Sequence, residues 1–151
     1  MSDLAVSAVR QRVATAIGAL SGWRQSRYSP SVFGFDTGGG AGILHHSFSV
    51  EAQGFGPSPT LPRQRERLSE GVRIRTNLVV QFAHRLRADN QVADYDAGLD
   101  AIETIIQTVM GVSLVNLHIA LDSVRPPLTS PSGEYLLAEL RFVADHRIAL
   151  Q

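Results

Sequence analysis

The five histidines of this chain are the side chains best suited to bind a metal ion or to exchange protons near neutral pH. An imidazole serves as a general base or as a metal ligand, and these rings fall on four predicted strands, so a fold could bring several together. Yet no H-E-x-x-H pair or comparable spacing is present, and two of the rings lie at strand ends, where we expect contact with solvent. The residues are His45, His46, His84, His118 and His146, of which His84 and His146 are those at strand ends.

A run of acids is the second group that could bind a cation: Asp94, Asp96, Asp100 and Glu103. Carboxylate oxygens are the ligands that Mg²⁺ and Ca²⁺ prefer. The spacing does not match an EF-hand loop, however, and acids in the first turns of a helix are expected from capping and the helix dipole alone. A small metal-dependent hydrolase that uses these acids and the strand histidines stays open as the least favoured function.

The glycine run Gly38-Gly39-Gly40 with Gly42 suggests a phosphate-binding loop, but the sequence lacks the residues that such a loop needs. It has no Gly-Lys-Ser/Thr ending, and the chain contains no lysine to reach a phosphate. There is no cysteine and no G-x-S-x-G turn for a nucleophile. We therefore assign no catalytic, cofactor-binding or metal-binding residue, expect no cofactor, and predict that the chain is not an enzyme.

Composition is that of a globular protein. With 151 residues and 44% hydrophobic content, the chain can form one domain, residues 1–151, around a real core. No apolar run approaches the ~20 residues of a membrane span, and the N-terminus does not resemble a signal peptide. We expect cytoplasmic synthesis and no membrane partner. A net charge of zero argues against a general nucleic-acid binder.

Hydrophobic periodicity predicts two helices and four or five strands. We predict an α+β fold, a mostly antiparallel sheet with both helices packed on one face. Ser2 would cap the first helix, and Asp94 or Asp96 the second, which Gly111 ends. The segments are a helix at 3–21, a short strand within 23–35, strands at 43–54 and 72–86, the second helix, and a hairpin of strands 113–124 and 134–147; flexible loops occupy about 36–42, 55–71 and 125–133.

The segment from Val72 to Leu86 has the longest regular pattern, with alternating apolar and polar residues. At ~3.3 Å per residue this strand would reach about 50 Å, whereas strands usually have about 5–6 residues. We expect it to project past the core of its own subunit. Because projecting strands are usually completed by another subunit, the pattern favours an assembly protein over an enzyme.

Charge is segregated along the chain. Five arginines and two glutamates occupy positions 63–75, whereas five acids and no basic residue occupy positions 89–103. The two groups are either unrelated surfaces or a contact within one subunit, or they meet head to tail between copies, where opposite charges fix the register. The candidate interface residues are Arg63, Arg65, Arg67, Arg73, Arg75, Asp94, Asp96, Asp100 and Glu103. Reversing Arg73 and Arg75 to Glu should then impair assembly without unfolding the subunit.

Four stretches and their order carry a resemblance to a known family. They are ILHHSFSVEAQG, GVRIRTNLVVQFAHRLRA, DYDAGLDAIETIIQTVM and YLLAELRFVADHRIAL. With the arginine-bearing loop between the first two, this pattern resembles the tail terminator (tail completion) proteins of long-tailed bacteriophages and related gene transfer agents over residues 3–150. No catalytic residue comes with the resemblance, because the family has none.

The resemblance implies a structural virion protein of the tail and neck, assembled in the host cytoplasm. Such proteins form a homo-oligomeric ring, a hexamer, which caps the tail tube, ends its polymerisation and provides the face that joins the head. The implied partners are copies of the chain, the major tail protein and a head-closure or connector protein. DNA would pass nearby without specific binding. A head-closure or neck connector protein of the same particle stays open as the alternative.

Overall fold

The described part of the chain forms one six-stranded sheet with two helices. The computed structural model describes residues 4–26, 44–58, 71–114 and 116–149. The strand order is β1-β2-β3-β6-β4, with β5 paired to β6, and every pair is antiparallel except β1 with β2. The predicted α+β fold is confirmed. The elements are α1 (Val6–Gly18), β1 (Arg24–Gln25), β2 (Ser47–Pro57), β3 (Val72–Arg85), α2 (Gln91–Met110), β4 (Leu117–Val124), β5 (Leu128–Thr129) and β6 (Tyr135–Ile148).

Both helices pack on the same face of the sheet, as predicted. Every second residue of β3 points to that face, because strand side chains alternate, and the two helices cover it with their apolar stripes. The result is a single large cluster of buried apolar side chains. Its fully enclosed members include Val9, Val13 and Ile17 of α1, Ile105 and Val109 of α2, and Phe48, Leu78, Phe82, Leu140 and Phe142 of the sheet.

The helix ends differ from the prediction. α1 begins at Val6 after Ala5, which makes no side-chain cap; the predicted cap Ser2 lies outside the described residues. α2 begins at Gln91 with Asn90 as its N-cap, and it ends at Gly111 as predicted. Asp94 therefore lies inside the first turn, and its carboxylate instead accepts a hydrogen bond from the backbone N–H of Arg87.

Several strand bounds also shift. β2 continues to Pro57, into the predicted loop at 55–71, because β3 offers partners as far as Ile74. β4 begins at Leu117 and not at 113. The predicted hairpin is confirmed, but its connecting loop contains β5. The predicted loop at 36–42 and residues 59–70 lie outside the described residues.

The prediction that the long strand projects past its core is wrong. β3 is a central strand: β6 pairs with it at each of its 14 residues, and β2 pairs with it from Ile74 to Phe82. All of β3 therefore has a pairing partner within the subunit, because β6 has the same length, 14 residues.

The unpaired backbone lies instead on the two outer strands. β1 pairs with β2 only at Ser47 and Phe48, so the outer side of β2 from 49 to 57 has no strand partner among the described residues. On β4, Ser113 Oγ bonds the backbone of Ile119, and over 120–124 the described part of the chain supplies no outer strand. Each outer strand carries a register shift, at Ala52/Gly54 in β2 and at Leu121/Ser123 in β4. Neither described helix has the length and apolarity to cross a bilayer.

Candidate functional site

The sheet face opposite the helices carries a network of charged side chains. Arg75 on β3 donates from Nε and Nη2 to the two carboxylate oxygens of Asp145 on β6, both at 3.1 Å. Ser58 donates to the same carboxylate at 3.1 Å. Although burial raises the pKa of Asp145, the bonds from Arg75 and Ser58 bring it below the usual value. This pair therefore ties the end of β2 to the two central strands.

A second group on this face centres on Glu139 of β6. Its carboxylate accepts from Gln81 at 2.7 Å and from Arg141 at 3.2 Å, and it forms an ion pair with Arg125 at 3.2 Å. Arg125 and Arg141 are partly exposed, so each pair adds little stability by itself. Together they fix the side chains of three neighbouring segments in one arrangement.

The predicted acidic patch on α2 does not converge on one point. Asp94 is held by Arg87, whose Nη2 lies 2.9 Å from its carboxylate, and the hydrogen bonds from Arg87 lower the pKa of Asp94 to about 2. Asp96, Asp100 and Glu103 are exposed along the helix. Among the described residues these acids form no group that could hold a metal ion.

The candidate interface residues therefore divide into three sets. Arg63, Arg65 and Arg67 lie outside the described residues. Arg75, which is partly exposed, and Asp94, which is buried, have strong partners within the subunit. The third set is the half-buried Arg73 with the exposed Asp96, Asp100 and Glu103. A head-to-tail contact between the two charged groups stays a prediction.

The two outer strands expose apolar side chains at opposite edges of the sheet. On β2, Phe55 is 64% exposed, and on the other edge Leu128 of β5 is 63% exposed. Beside it, Leu121 and Val124 of β4 are each 37% exposed. The last four residues of β4 are exposed on both faces. Each edge therefore combines unpaired backbone with apolar surface, which is the combination that strand addition uses.

Three of the five histidines meet at one end of the sheet. One ring nitrogen from each of His45, His46 and His84 lies within 4.8 Å of the others. His46 Nε2 is 3.0 Å from His84 Nδ1, so one ring donates a hydrogen bond to the other. The rings of His45 and His46 stack with their centres 3.8 Å apart.

Backbone contacts position this histidine triad (His45, His46 and His84). The N–H of His46 donates to Ala83 O at 2.7 Å, and Arg85 N–H donates to His45 Nδ1 at 3.0 Å. His46 has a φ of 57°, a left-handed conformation that is unusual for a residue with a Cβ. The turn before β2 thus places two rings against the end of β3.

Burial and mutual repulsion keep the triad neutral. Desolvation lowers the pKa of each ring, and for His46, with His45 and His84 beside it, the pKa falls to about 4. Neutral rings each carry one proton and one lone pair, so the triad can accept a proton or bind a cation.

The other two histidines lie elsewhere. His118 is exposed on β4. His146 is fully buried, contrary to the solvent contact predicted for it, and so is most of His84. Both ring nitrogens of His146 are used by the protein: Nδ1 lies 2.8 Å from Leu4 O and Nε2 lies 2.7 Å from Thr76 Oγ1.

No family model and no curated protein matches the chain.

The sequence analysis named all five histidines but did not predict that His45, His46 and His84 meet. The signal was available in the register of β2 and β3: once Phe48 lies opposite Phe82, an antiparallel ladder places position 46 level with His84. Trp23, which stacks on His46 with ring centres 4.0 Å apart, had no such signal because its segment has mixed periodicity.

Proposed function

We propose that the chain is a structural subunit which assembles edge to edge into a homo-oligomeric ring, acting as a tail terminator of a phage-like particle. The observation that carries the assembly is the pair of outer strands, β2 and β4. Among the described residues each has no strand partner along most of its outer side, where Arg10 bonds the Val50 carbonyl of β2, and each is flanked by exposed apolar side chains. Monomeric proteins usually cover such edges.

Strand directions favour a head-to-tail contact. β2, β3, β6 and β4 are joined by three antiparallel pairings, so β2 and β4 run in opposite directions. When two copies lie side by side in the same orientation, β4 of one meets β2 of the next as an antiparallel pair. Because the two surfaces differ, the contact is heterologous and generates a ring when the rotation closes.

The identity of the ring rests on the resemblance described above. In this proposal the ring is a hexamer in the neck of the virion, where it stops tail-tube growth and offers a face to the head. Its partners are the major tail protein and a head-closure or connector protein, and DNA passes nearby without specific readout. The neutral net charge fits a subunit that works within an assembly, since a free monomer gains little colloidal protection from it.

The edge contact is tested by charging each edge separately. Leu121→Asp and Phe55→Asp should each reduce wild-type rings to monomers, because a charge would be buried without a partner in the contact. Val92→Asp is the matched control: Val92 is 80% exposed on α2, away from both outer strands. Mass photometry of the three variants and the wild type measures the outcome, and circular dichroism verifies folding.

Mixing the two edge variants makes the test specific to a heterologous contact. Leu121→Asp alters β4 and keeps an intact β2 edge, whereas Phe55→Asp alters β2 and keeps an intact β4 edge. An equimolar mixture of the two should therefore form heterodimers through the two intact edges. Rings that survive both substitutions, or a wild-type chain that stays monomeric at high concentration and in the presence of tail tubes, would refute the proposal. Cross-linking to the major tail protein, and not to the portal complex, separates a tail terminator from a neck connector.

A further inference from the structure

We propose that the histidine triad binds one divalent transition-metal ion such as Zn²⁺. The site would take one nitrogen from each of His45, His46 and His84, which come from the turn before β2 and from the end of β3. Imidazole nitrogens suit Zn²⁺, Ni²⁺ and Cu²⁺, whereas Mg²⁺ and Ca²⁺ require oxygen ligands. This inference is independent of the assembly proposed above.

The distances are close to those that a tetrahedral ion needs. With Zn–N bonds of about 2.0–2.1 Å, two nitrogens on one ion lie roughly 3.3 Å apart. His46 Nε2 and His84 Nδ1 are 3.0 Å apart, so this pair needs to separate by only a few tenths of an ångström. The third nitrogen, from His45, lies within 4.8 Å of the other two, so this ring has to move closer by up to about 1.5 Å.

Metal binding would replace the hydrogen bond between His46 and His84 with bonds to the ion. One of these two rings carries the proton of their hydrogen bond, so its proton must move to the other ring nitrogen, which faces away from the ion. If His45 binds through Nε2, its Nδ1 keeps the hydrogen bond from the backbone N–H of Arg85.

The surrounding side chains hold the rings in place before any ion binds. Trp23 lies flat on His46, with an angle of 8° between the two rings. On the other side, α2 approaches His84 at Gly98, where a Cβ would lie 3.4 Å from the ring. Such support reduces the ordering that an ion must impose on its ligands.

Three protein ligands leave the fourth position of a tetrahedral ion open. Structural zinc sites are closed by four protein ligands, whereas open sites keep a position for water or another molecule. Among the described residues, His45, His46 and His84 are the only group of three or more candidate ligands, and no acid joins it. The described residues therefore leave the fourth position to a water molecule or to a group outside them.

Isothermal titration of the tag-free full-length chain, first dialysed against EDTA, tests the site. We expect ZnCl₂ to bind with a stoichiometry of one ion per chain and MgCl₂ to give no saturable binding. His46→Asn should weaken Zn²⁺ binding by at least about tenfold, and the double variant with His84→Gln should abolish it. Bound Co²⁺ should show the intense visible absorption of a four-coordinate ion.

His118→Ala is the matched control, because it removes an exposed histidine outside the triad; it should bind Zn²⁺ like the wild type. His84 is buried, so its replacement could unfold the subunit; the partly exposed His46 carries the test by itself. Absence of saturable Zn²⁺ binding by the wild type, or unchanged affinity in His46→Asn, would overturn the proposal. Leu121→Asp, which tests the edge contact, should leave Zn²⁺ affinity unchanged.

Discussion

Histidines at the two ends of the sheet differ in burial and in how their ring nitrogens are hydrogen-bonded. At one end, His146 has both ring nitrogens bonded to Thr76 and to the backbone of Leu4, and it is fully buried. At the other end, His46 and His84 bond to each other, and part of the triad reaches solvent. A ring whose nitrogens are both used by its own protein has nothing left to offer a ligand. Hydrogen-bond saturation, and not residue type, separates a structural histidine from a candidate functional one.

The largest expected effect comes from removing the saturated ring. His146→Ala leaves a cavity and two buried polar groups without a partner, so it should cost about 3 kcal/mol of unfolding free energy. Urea denaturation followed by circular dichroism measures it, with His118→Ala as the exposed control, expected within about 0.5 kcal/mol. A loss below about 1 kcal/mol would show that His146 is not the structural member of the comparison.

Thr76→Val sharpens the same point with a smaller change. It preserves shape and removes only the hydroxyl that faces His146 Nε2 at 2.7 Å, so we expect a loss of about 1–2 kcal/mol. Thr104→Val is the matched control, since the Thr104 hydroxyl bonds an exposed helix carbonyl. If both variants were equally stable, saturation of His146 would not matter for folding.

Lowering the pH should reduce the unfolding free energy through the histidine triad. Because the pKa of His46 is about 4 in the folded chain and about 6.5 when unfolded, the unfolded state binds more protons between these values. As the pH decreases from 6.5 towards 4, His46 by itself should therefore lower the unfolding free energy by about 1 kcal/mol after solvent screening. The lowered pKa values of His45, His84 and His146 act in the same direction. Asp94 and Asp145, whose pKa values are lowered from 3.8, lose their contribution only below that window.

The measurement is urea denaturation in EDTA at pH 7.5, 5.5 and 4.5 for the wild type and for His46→Asn. The variant should show a flatter dependence over this range. Identical slopes in the two proteins would mean that His46 titrates alike in the folded and unfolded states.

The smallest effect is expected at Gly98, behind His84. An alanine Cβ would lie 2.7 Å from Leu136 Cδ2 and 3.4 Å from His84 Cδ2, so Leu136 must rotate, while the helix gains up to about 1 kcal/mol from the replacement of glycine. Stability of Gly98→Ala should change by less than about 1 kcal/mol, and Zn²⁺ affinity should fall a few-fold. Unaltered Zn²⁺ affinity would show that α2 does not position His84.

Much of the fold was available from periodicity. The alternation from Val72 to Leu86 correctly identified the buried face of β3, and the predicted strand at 134–147 matches β6 within one residue at each end. The error was to expect that the strand at 72–86 has no partner of similar length in its own subunit. Two strands of equal length already implied a pair, but periodicity reports which face is buried and not which strand lies alongside.

Side-chain partners distant in sequence were beyond such reasoning. Arg75 was predicted to serve an interface, yet its carboxylate partner is 70 residues away on β6. Reversing it to Glu would place two carboxylates together and leave buried Asp145 without its cation, which destabilises the subunit by several kcal/mol. The double reversal of Arg73 and Arg75 is therefore expected to damage folding as well as any contact, and the edge variants are the cleaner test.

The register shifts in the two outer strands have a consequence for misfolding. Each shift lies in the part of its strand that the described chain leaves without an outer partner strand, so a foreign segment that pairs from 49 on β2 or from 120 on β4 meets a change of register within a few residues. A straight, unfolded segment that docks there loses its register at the bulge, so amyloid-like growth stalls early. Only a strand with a matching kink can continue past that point, so most extended segments are poor partners for these edges.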